Sequence, residues 1–213
     1  MRIRFDEQLE QLNEEMINMG NMIEASIGDA VKALMKQDEE LAKKTMAGDE
    51  KIDRTERKIE DLCLRLLLQQ QPVARDLRNI SSALKMVTDM ERIGDHAVNV
   101  AGYADDMNKW QISFSDNVLE ELSEMKKQTV ASLDTVRDVS SENAAQVLKN
   151  ASIMEQKTDD MRDKYFKKQI QRLKKGKCKP QSGIVFSEVL TDFERMGDHV
   201  LNIAQQYCEM EQS

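Results

Sequence analysis

The sequence predicts an all-α protein of two tandem, pseudo-symmetric three-helix bundles with six long helices, and three observations support this prediction. The 213 residues include only eight glycines and two prolines, which is little turn chemistry for a strand-rich fold. Apolar residues recur at steps of three and four along most of the chain, as in amphipathic helices. Residues 88–101 (TDMERIGDHAVNVA) and 191–204 (TDFERMGDHVLNIA) are identical at nine of fourteen positions, which indicates a duplicated unit.

Three helices are predicted in the first half of the chain. Apolar residues at helical spacing mark the first helix over 9–34, and a similar pattern runs over 38–70. Pro72 ends the second helix, because proline disfavours the helical conformation at the residue before it. The third helix is expected over 73–105, which places the first bundle within residues 1–107.

The second half repeats this plan after a connection over 106–117 whose apolar periodicity is poor. Residues 176–180 contain a glycine and a proline and break the chain again, shortly before the third helix of this half. The second bundle is therefore expected within residues 116–213, with helices over 118–139, 141–175 and 182–209.

The charge balance argues against nucleic-acid binding. The formal net charge is −8 and the isoelectric point is near 5.0, whereas neutralising phosphates requires clustered lysine and arginine. We interpret the one basic run either as a solvated helix end that complements the helix dipole or as a docking patch for acidic proteins or anionic lipid headgroups. This run consists of Lys167, Lys168, Arg172, Lys174, Lys175, Lys177 and Lys179.

The cysteines and the apolar segments indicate a cytoplasmic protein. Cys63, Cys178 and Cys208 are odd in number and lack the spacing of a zinc site or a disulfide framework. The N-terminal residues contain no apolar segment typical of a signal peptide, and no apolar run approaches the roughly 20 residues of a membrane span. Association with the inner face of the membrane is therefore expected only through partners, without direct insertion.

Pairs of acidic residues four apart form the candidate site in each half. Residues at this spacing lie on one face of a helix. The second and third predicted helices of each half each carry one such pair, and antiparallel packing would bring the two pairs together. The eight carboxylates are Asp49 and Asp53, Glu91 and Asp95, Glu155 and Asp159, and Glu194 and Asp198.

The apolar surroundings of these acids favour a metal site. On a helical wheel Val87 and Val98 lie within about 40° of Glu91, and Leu190 flanks Glu194 in the same way. Carboxylates clustered in such a place repel one another, and their burial is costly unless a cation binds them. Divalent or transition metal ions (iron, zinc, manganese or magnesium) are therefore the expected cofactors. Acidic pairs also occur on solvated helices that bind nothing, and the spacing leaves that alternative open.

Both histidines of the chain directly follow the acidic pairs. His96 and His199 lie about 100° around the helix from the preceding aspartate, so they are either structural supports or direct ligands. The spacing of five residues from Glu91 to His96 argues against a ferritin-like di-iron bundle, which needs a spacing of three. Gly94 and Gly197 within predicted helices indicate that another helix crosses closely.

No catalytic constellation accompanies the candidate metal site. The sequence contains no Ser–His–Asp order, no glycine-rich phosphate loop and no HExxH motif. The protein is therefore expected not to be an enzyme. A carboxylate-bridged metal enzyme and a purely structural helical scaffold are the alternatives.

Four segments resemble the signatures of the PhoU family, the accessory proteins of the phosphate-specific transport system. They are residues 72–78 (PVARDLR), 83–86 (ALKM), 89–99 (DMERIGDHAVN) and 192–199 (DFERMGDH). The resemblance covers essentially the whole chain, including its length and its twofold repeat. It implies two three-helix bundles, association as a homodimer, and multinuclear metal sites at the E(D)xxxD motifs, which correspond to the eight carboxylates above.

The resemblance also implies a function in phosphate control. A protein of this family links the phosphate ABC transporter, through its ATPase subunit, to a membrane sensor histidine kinase. It represses the phosphate-starvation response and restrains uptake when phosphate is plentiful. The alternative within this resemblance is a PhoU-like metal-binding adaptor of another phosphate transporter.

Overall fold

The computed structural model describes residues 2–69, 73–137 and 143–211, and over these residues the chain forms six helices and no strands. The predicted all-α fold is therefore confirmed. Within the same residues, no helix has both the length and the apolar content that crossing a membrane requires. In chain order the helices are α1 (Arg2–Lys36), α2 (Glu39–Gln69), α3 (Ala74–Lys109), α4 (Asp116–Asp134), α5 (Ala144–Lys174) and α6 (Pro180–Glu211).

Backbone conformation and a side-chain hydrogen bond define the turns that follow α1 and α5. Gln37 takes a positive φ of 53° after α1. The side chain of Asp38 then accepts a hydrogen bond from the backbone N–H of Leu41 at 3.0 Å, so Asp38 is the N-cap of α2, as the predicted start near residue 38 implies. After α5, Gly176 takes a positive φ of 63°, a conformation that glycine adopts without a steric penalty.

Two predicted helix bounds around α3 and α6 are wrong. The third helix continues to Lys109 instead of ending at 105, because its last turns place Met107 in the core. The sixth helix begins at Pro180 rather than after it. Proline is tolerated there because the first helical turn leaves its backbone N–H groups without partners inside the helix anyway.

The fourth helix is also shorter than predicted, since it ends at Asp134 rather than at 139. The backbone N–H groups of Thr135 and Val136 donate to carbonyls three residues back instead of four, which closes the helix with turns. The predicted break at Pro72 and the predicted bounds at 139 and 141 lie outside the described residues.

The helices pack as two groups of three that meet along α3 and α6. α1, α2 and α3 contact one another, as do α4, α5 and α6. α3 and α6 lie antiparallel, since Lys85 Nζ is 3.6 Å from a carboxylate oxygen of Glu209, whereas His96 Nδ1, farther along α3, is 2.8 Å from Asp192, farther back along α6. α1 also contacts α4 across the same joint. The two-bundle arrangement therefore matches the predicted fold class.

One hydrophobic core runs through both bundles. Ile23 of α1, Ile93 of α3, Met125 of α4 and Phe193 of α6 belong to a single cluster of buried side chains. The bundles are therefore held together by close packing as well as by polar contacts. The domain bounds 1–107 and 116–213 stay predictions.

Candidate metal centres and the contact between the bundles

The first cluster of acidic side chains lies where α2 packs against α3. Asp49 and Asp53 of α2 and Glu91 and Asp95 of α3 are all half-buried. Burial raises the pKa of Asp49, and the charges of Asp53 and Asp95 raise it further. Burial likewise raises the pKa of Glu91, with Asp95 as the next cause. The charges of these acids therefore act on one another across the contact between the two helices.

The second cluster repeats this arrangement between α5 and α6. Burial raises the pKa of Glu155, and the charges of Asp159 and Asp198 raise it further, followed by that of Glu194. Burial also raises the pKa of Asp159, again with Asp198 as the next cause. The acidic pair on α6 is 19 % and 37 % exposed, against 20 % and 38 % for the pair on α3, so the two copies present these acids alike.

The acidic side chains of each cluster are grouped at one helix contact, but they do not converge on a single point. Among the described residues, no three histidine, cysteine, aspartate or glutamate side chains are placed so that they could hold one ion. Arginines lie beside the outer acid of each pair, with Arg92 at 3.3 Å from Asp95 and Arg195 at 3.6 Å from Asp198. Both arginines are more than half exposed, and such pairs are weak, so an incoming cation would replace them at little cost.

Glu56 is a fifth carboxylate of the first cluster, which the pairwise spacing did not predict. Burial raises its pKa to about 7, and the charge of Glu91 is the next cause. It follows Asp53 by three residues on the same face of α2, and this spacing could have identified it. Its counterpart 106 residues later is Arg162, whose guanidinium lies 3.8 Å from Glu194. The first cluster therefore contains an anion where the second contains a cation.

Glu56→Gln is expected to stabilise the metal-free protein above pH 7. The folded-state pKa of about 7 exceeds the ordinary value of 4.5, so the folded chain binds more protons than the unfolded chain between these values. The stability contributed by this group is thus present below about pH 4.5 and is lost as the pH rises through about 7. After allowance for its solvent exposure, the gain should be about 1 kcal/mol at pH 8 and close to zero at about pH 4. Urea unfolding with a chelator measures both values, and equal gains at the two pH values would contradict the prediction.

Gly94 and Gly197 allow the acid-bearing helices to pack closely, and the space around the two glycines differs. A Cβ added at Gly94 would lie 3.2 Å from Cδ1 of Ile52 and 3.7 Å from Oδ1 of Asp49. A Cβ added at Gly197 would lie 3.6 Å from the nearest atoms of Thr158. The predicted close crossing is thus present in both halves, but only Gly94 lacks room for a methyl group.

The two glycine-to-alanine variants are therefore expected to differ. Gly197→Ala should raise the free energy of unfolding by about 0.5–1 kcal/mol, because alanine favours the helix and meets only ordinary contacts. Gly94→Ala should give no gain or a small loss, because the buried Ile52 side chain has to move. Chemical denaturation of both variants measures the difference, and equal stabilisation would contradict this account.

His96 and His199 lie outside the acidic clusters and connect the two bundles. Nδ1 of His96 on α3 donates to Oδ1 of Asp192 on α6 at 2.8 Å. Nδ1 of His199 on α6 donates to Oδ1 of Asp89 on α3, also at 2.8 Å. The two imidazole rings lie side by side with centroids 5.8 Å apart. These crossed His–Asp pairs support the structural interpretation of the histidines.

The duplicated motif encodes the crossed pairs. The amide of Asn99 donates to Asp192 at 3.2 Å, and that of Asn202 donates to Asp89 at 3.0 Å. Aspartate, histidine and asparagine are identical in both copies and recur at i, i+7 and i+10, which places them on one helical face. Helical spacing predicts this common face, but it does not reveal that each partner belongs to the other copy.

Comparison with known protein families gives one match in each half of the chain. The PhoU domain model matches the chain twice, over residues 16–104 and 122–207. The chain belongs to the PhoU family. The first match spans most of α1, α2 and α3 and the second most of α4, α5 and α6, so each PhoU domain corresponds to one bundle.

Relatives within the PhoU family match either nearly the whole chain or about half of it. The phosphate-specific transport system accessory protein PhoU homolog of Clostridium acetobutylicum is 32 % identical over 206 residues, which are 94 % of this chain and 91 % of the relative. The PhoU homolog of Aquifex aeolicus is 43 % identical over 94 residues, 44 % of this chain and 42 % of the relative. The crystal structure of PhoU from Pseudomonas aeruginosa matches with a TM-score of 0.86 at 28 % identity and covers 97 % of this chain and 98 % of that one.

Proposed function

We propose that this PhoU-family protein regulates phosphate transport and phosphate signalling and has no catalytic activity of its own. The match of the PhoU domain model to both halves carries the proposal, and relatives named as accessory proteins of phosphate-specific transport support it. In this role the protein acts in the cytoplasm as a homodimer. It couples the ATPase subunit of a phosphate ABC transporter to a membrane sensor histidine kinase and represses the starvation response when phosphate is plentiful.

The shape of the molecule supports an adaptor role. Because α3 and α6 are antiparallel, the N-terminal ends of these two helices lie at opposite ends of the molecule. Exposed apolar side chains occur at both ends, for example Leu68, which is 84 % exposed, and Trp110, which is 46 % exposed. Such side chains favour contacts with partners. Two ends of this kind would allow two partners to bind one molecule at the same time.

We further propose that each acidic cluster binds iron, zinc, manganese or magnesium ions. A donor set made of carboxylates suits hard and borderline cations. Oδ1 of Asp159 is buried and accepts no hydrogen bond from the described residues, and a cation would satisfy it. When bound, the ion supplies positive charge that offsets the mutual repulsion of the acids. The residues that would hold it are Asp49, Asp53, Glu91 and Asp95 in the first cluster and Glu155, Asp159, Glu194 and Asp198 in the second.

Metal analysis of a combined variant tests the proposed sites. The combined variant carries alanine in place of Glu91, Asp95, Glu194 and Asp198, which removes half of the carboxylates of each cluster. It should lose most of the bound metal, and mass spectrometry of the dialysed protein measures this loss. The circular dichroism of the helices should persist, because none of the four side chains belongs to the buried core. A matched control replaces four exposed acids elsewhere on the helices, namely Glu14, Glu40, Asp61 and Glu120. Unchanged metal content in the first variant would end the metal proposal.

A cellular experiment tests the regulatory role independently of the metal. Deletion of the protein in its host should activate a phosphate-starvation reporter and increase phosphate uptake in phosphate-rich medium. Re-expression of the wild-type chain should restore repression. Reporter activity and uptake that stay unchanged after deletion would refute the proposed function.

A further inference from the structure

The C-terminal part of α5 and the turn after it are strongly basic in an otherwise acidic protein. Residues 161–180 contain nine lysines or arginines and one aspartate, which is a net charge of +8. The whole chain carries −8, so the remaining residues carry −16. Most of the basic side chains in this segment are exposed. The separation of charge along the chain is therefore also present on the surface of the molecule.

Apolar side chains are exposed among these cations. Phe166, Ile170 and Leu173 recur on one face of α5 and, with Ile184 of α6, line a shallow groove of about 340 Å³. One carboxylate, Glu188, lies at the end of this groove that is farther from the turn after α5. The groove and the lysines beside it form what we term the basic–apolar surface.

The arginines near this surface are paired within the chain, whereas several lysines are not. Arg172 lies 2.8 Å from Glu121, and Arg162 lies 2.7 Å from Asp163. Lys167 and Lys174 are about 60° and 40° around α5 from Ile170, so they border the apolar stripe. The lysines of this segment whose side chains form no ion pair, cation–π contact or hydrogen bond with the described residues are Lys167, Lys174, Lys175 and Lys177.

We propose that the basic–apolar surface adsorbs directly to an anionic phospholipid membrane. Lysine is a compact, strongly hydrated point charge suited to diffuse attraction by a fluid anionic surface, whereas recognition of fixed carboxylates favours arginine. Lysine is also depleted in the cores of protein–protein interfaces. Exposed apolar side chains bordered by lysines have the composition of interfacial membrane-binding helices. The sequence predicts membrane association only through partners, and this surface adds a direct contact without insertion.

Co-sedimentation with phospholipid vesicles tests the proposal on the full chain. Binding is expected with phosphatidylcholine vesicles containing about 30 % phosphatidylglycerol at about 0.1 M salt, and little binding at about 1 M salt, where charges are screened. Vesicles of phosphatidylcholine alone should bind weakly. The triple variant Lys167→Gln, Lys174→Gln, Lys177→Gln should lower the partition coefficient on the order of 100-fold, since each lysine near the membrane contributes about fivefold.

A second triple variant, Lys43→Gln, Lys44→Gln, Lys51→Gln, makes the same change in net charge on exposed residues of α2. It should bind like the wild type, and thermal unfolding should show that both variants are folded. Equal weakening by the two variants would overturn the proposal, because binding would then follow net charge alone. Absence of binding to the anionic vesicles would also overturn it. A loss of transporter capture by the first variant in that case would assign the surface to an acidic protein partner.

Discussion

Asp192→Ala is expected to lower the free energy of unfolding by about 3 kcal/mol. Asp192 is only 6 % exposed and accepts hydrogen bonds from His96 and Asn99 across the contact between α6 and α3. Its removal leaves two donors on the other bundle without their partner. Urea unfolding followed by circular dichroism measures the change.

Two further substitutions and a double-mutant cycle serve as comparisons for Asp192→Ala. Asp89→Ala should cost less, about 2 kcal/mol, because the side chain of Asp89 is 19 % exposed and water can replace part of its hydrogen bonding. Asp160→Ala, at an exposed position of α5, should change stability by less than about 0.5 kcal/mol. A double-mutant cycle of His96→Ala with Asp192→Ala should give a coupling energy of about 1–2 kcal/mol. Additive effects in that cycle would show that the pair does not hold the bundles together.

The first acidic cluster is expected to bind a divalent cation more tightly than the second, by up to about tenfold. Glu56 faces the first cluster, whereas Arg162 occupies the corresponding place in the second. For a doubly charged ion about 6 Å away, a difference of two charges corresponds to about 3 kcal/mol even at the dielectric constant of water. Two neighbouring charges reduce this advantage. The guanidinium of Arg57 lies 3.8 Å from Asp53 in the first cluster, and Asp163 lies 2.7 Å from Arg162 in the second. Calorimetric titration of the metal-free protein with Mn²⁺ should therefore resolve a tight and a weak class of sites.

Exchanging these two residues should change the affinities in opposite directions. Arg162→Glu should strengthen the weak class and bring it close to the tight class, whereas Glu56→Gln should weaken the tight class. Lys157→Glu makes the same charge change as Arg162→Glu at an exposed position on another face of α5, and it should leave both classes in place. Because the metal sites are part of the proposed function, total absence of Mn²⁺ binding would refute the sites themselves. Two equal classes in the wild type would refute only the role of Glu56 and Arg162.

Titration with metal should also depend on pH. Burial and neighbouring acids raise the pKa values of Asp49, Glu56 and Glu91, so protons compete with the ion for these carboxylates. Affinity at the first cluster should therefore rise as the pH increases towards and through about 7, the pKa of Glu56, and each ion bound below that pH should release protons.

Helix content and element order could be predicted because they depend on local spacing. α2 was expected over 38–70 and is observed at Glu39–Gln69, where the periodic apolar positions and the Asp38 cap agree. The bounds at Lys109 and Pro180 could not be predicted, because they depend on burial of the last turns and on the tolerance of proline in a first turn.

The candidate site was predicted in part for the same reason. Spacing of four residues predicts the acidic pairs, and duplication of the pattern favours a metal site over ordinary solvated acids. The metal site itself stays a prediction. Glu56 was missed because it joins the cluster only through the packing of α2 on α3, which places it near Glu91.

The amino-acid sequence by itself determined the six-helix, twofold repeated architecture and the acids on each helical face, because both follow from periodicity within single helices. Only the tertiary structure decided what His96 and His199 do. Each of them pairs with an aspartate 96 or 110 residues away, on the other copy of the motif. Helical periodicity relates residues within one helix, whereas the antiparallel packing of α3 against α6 determines which residues of the two helices meet.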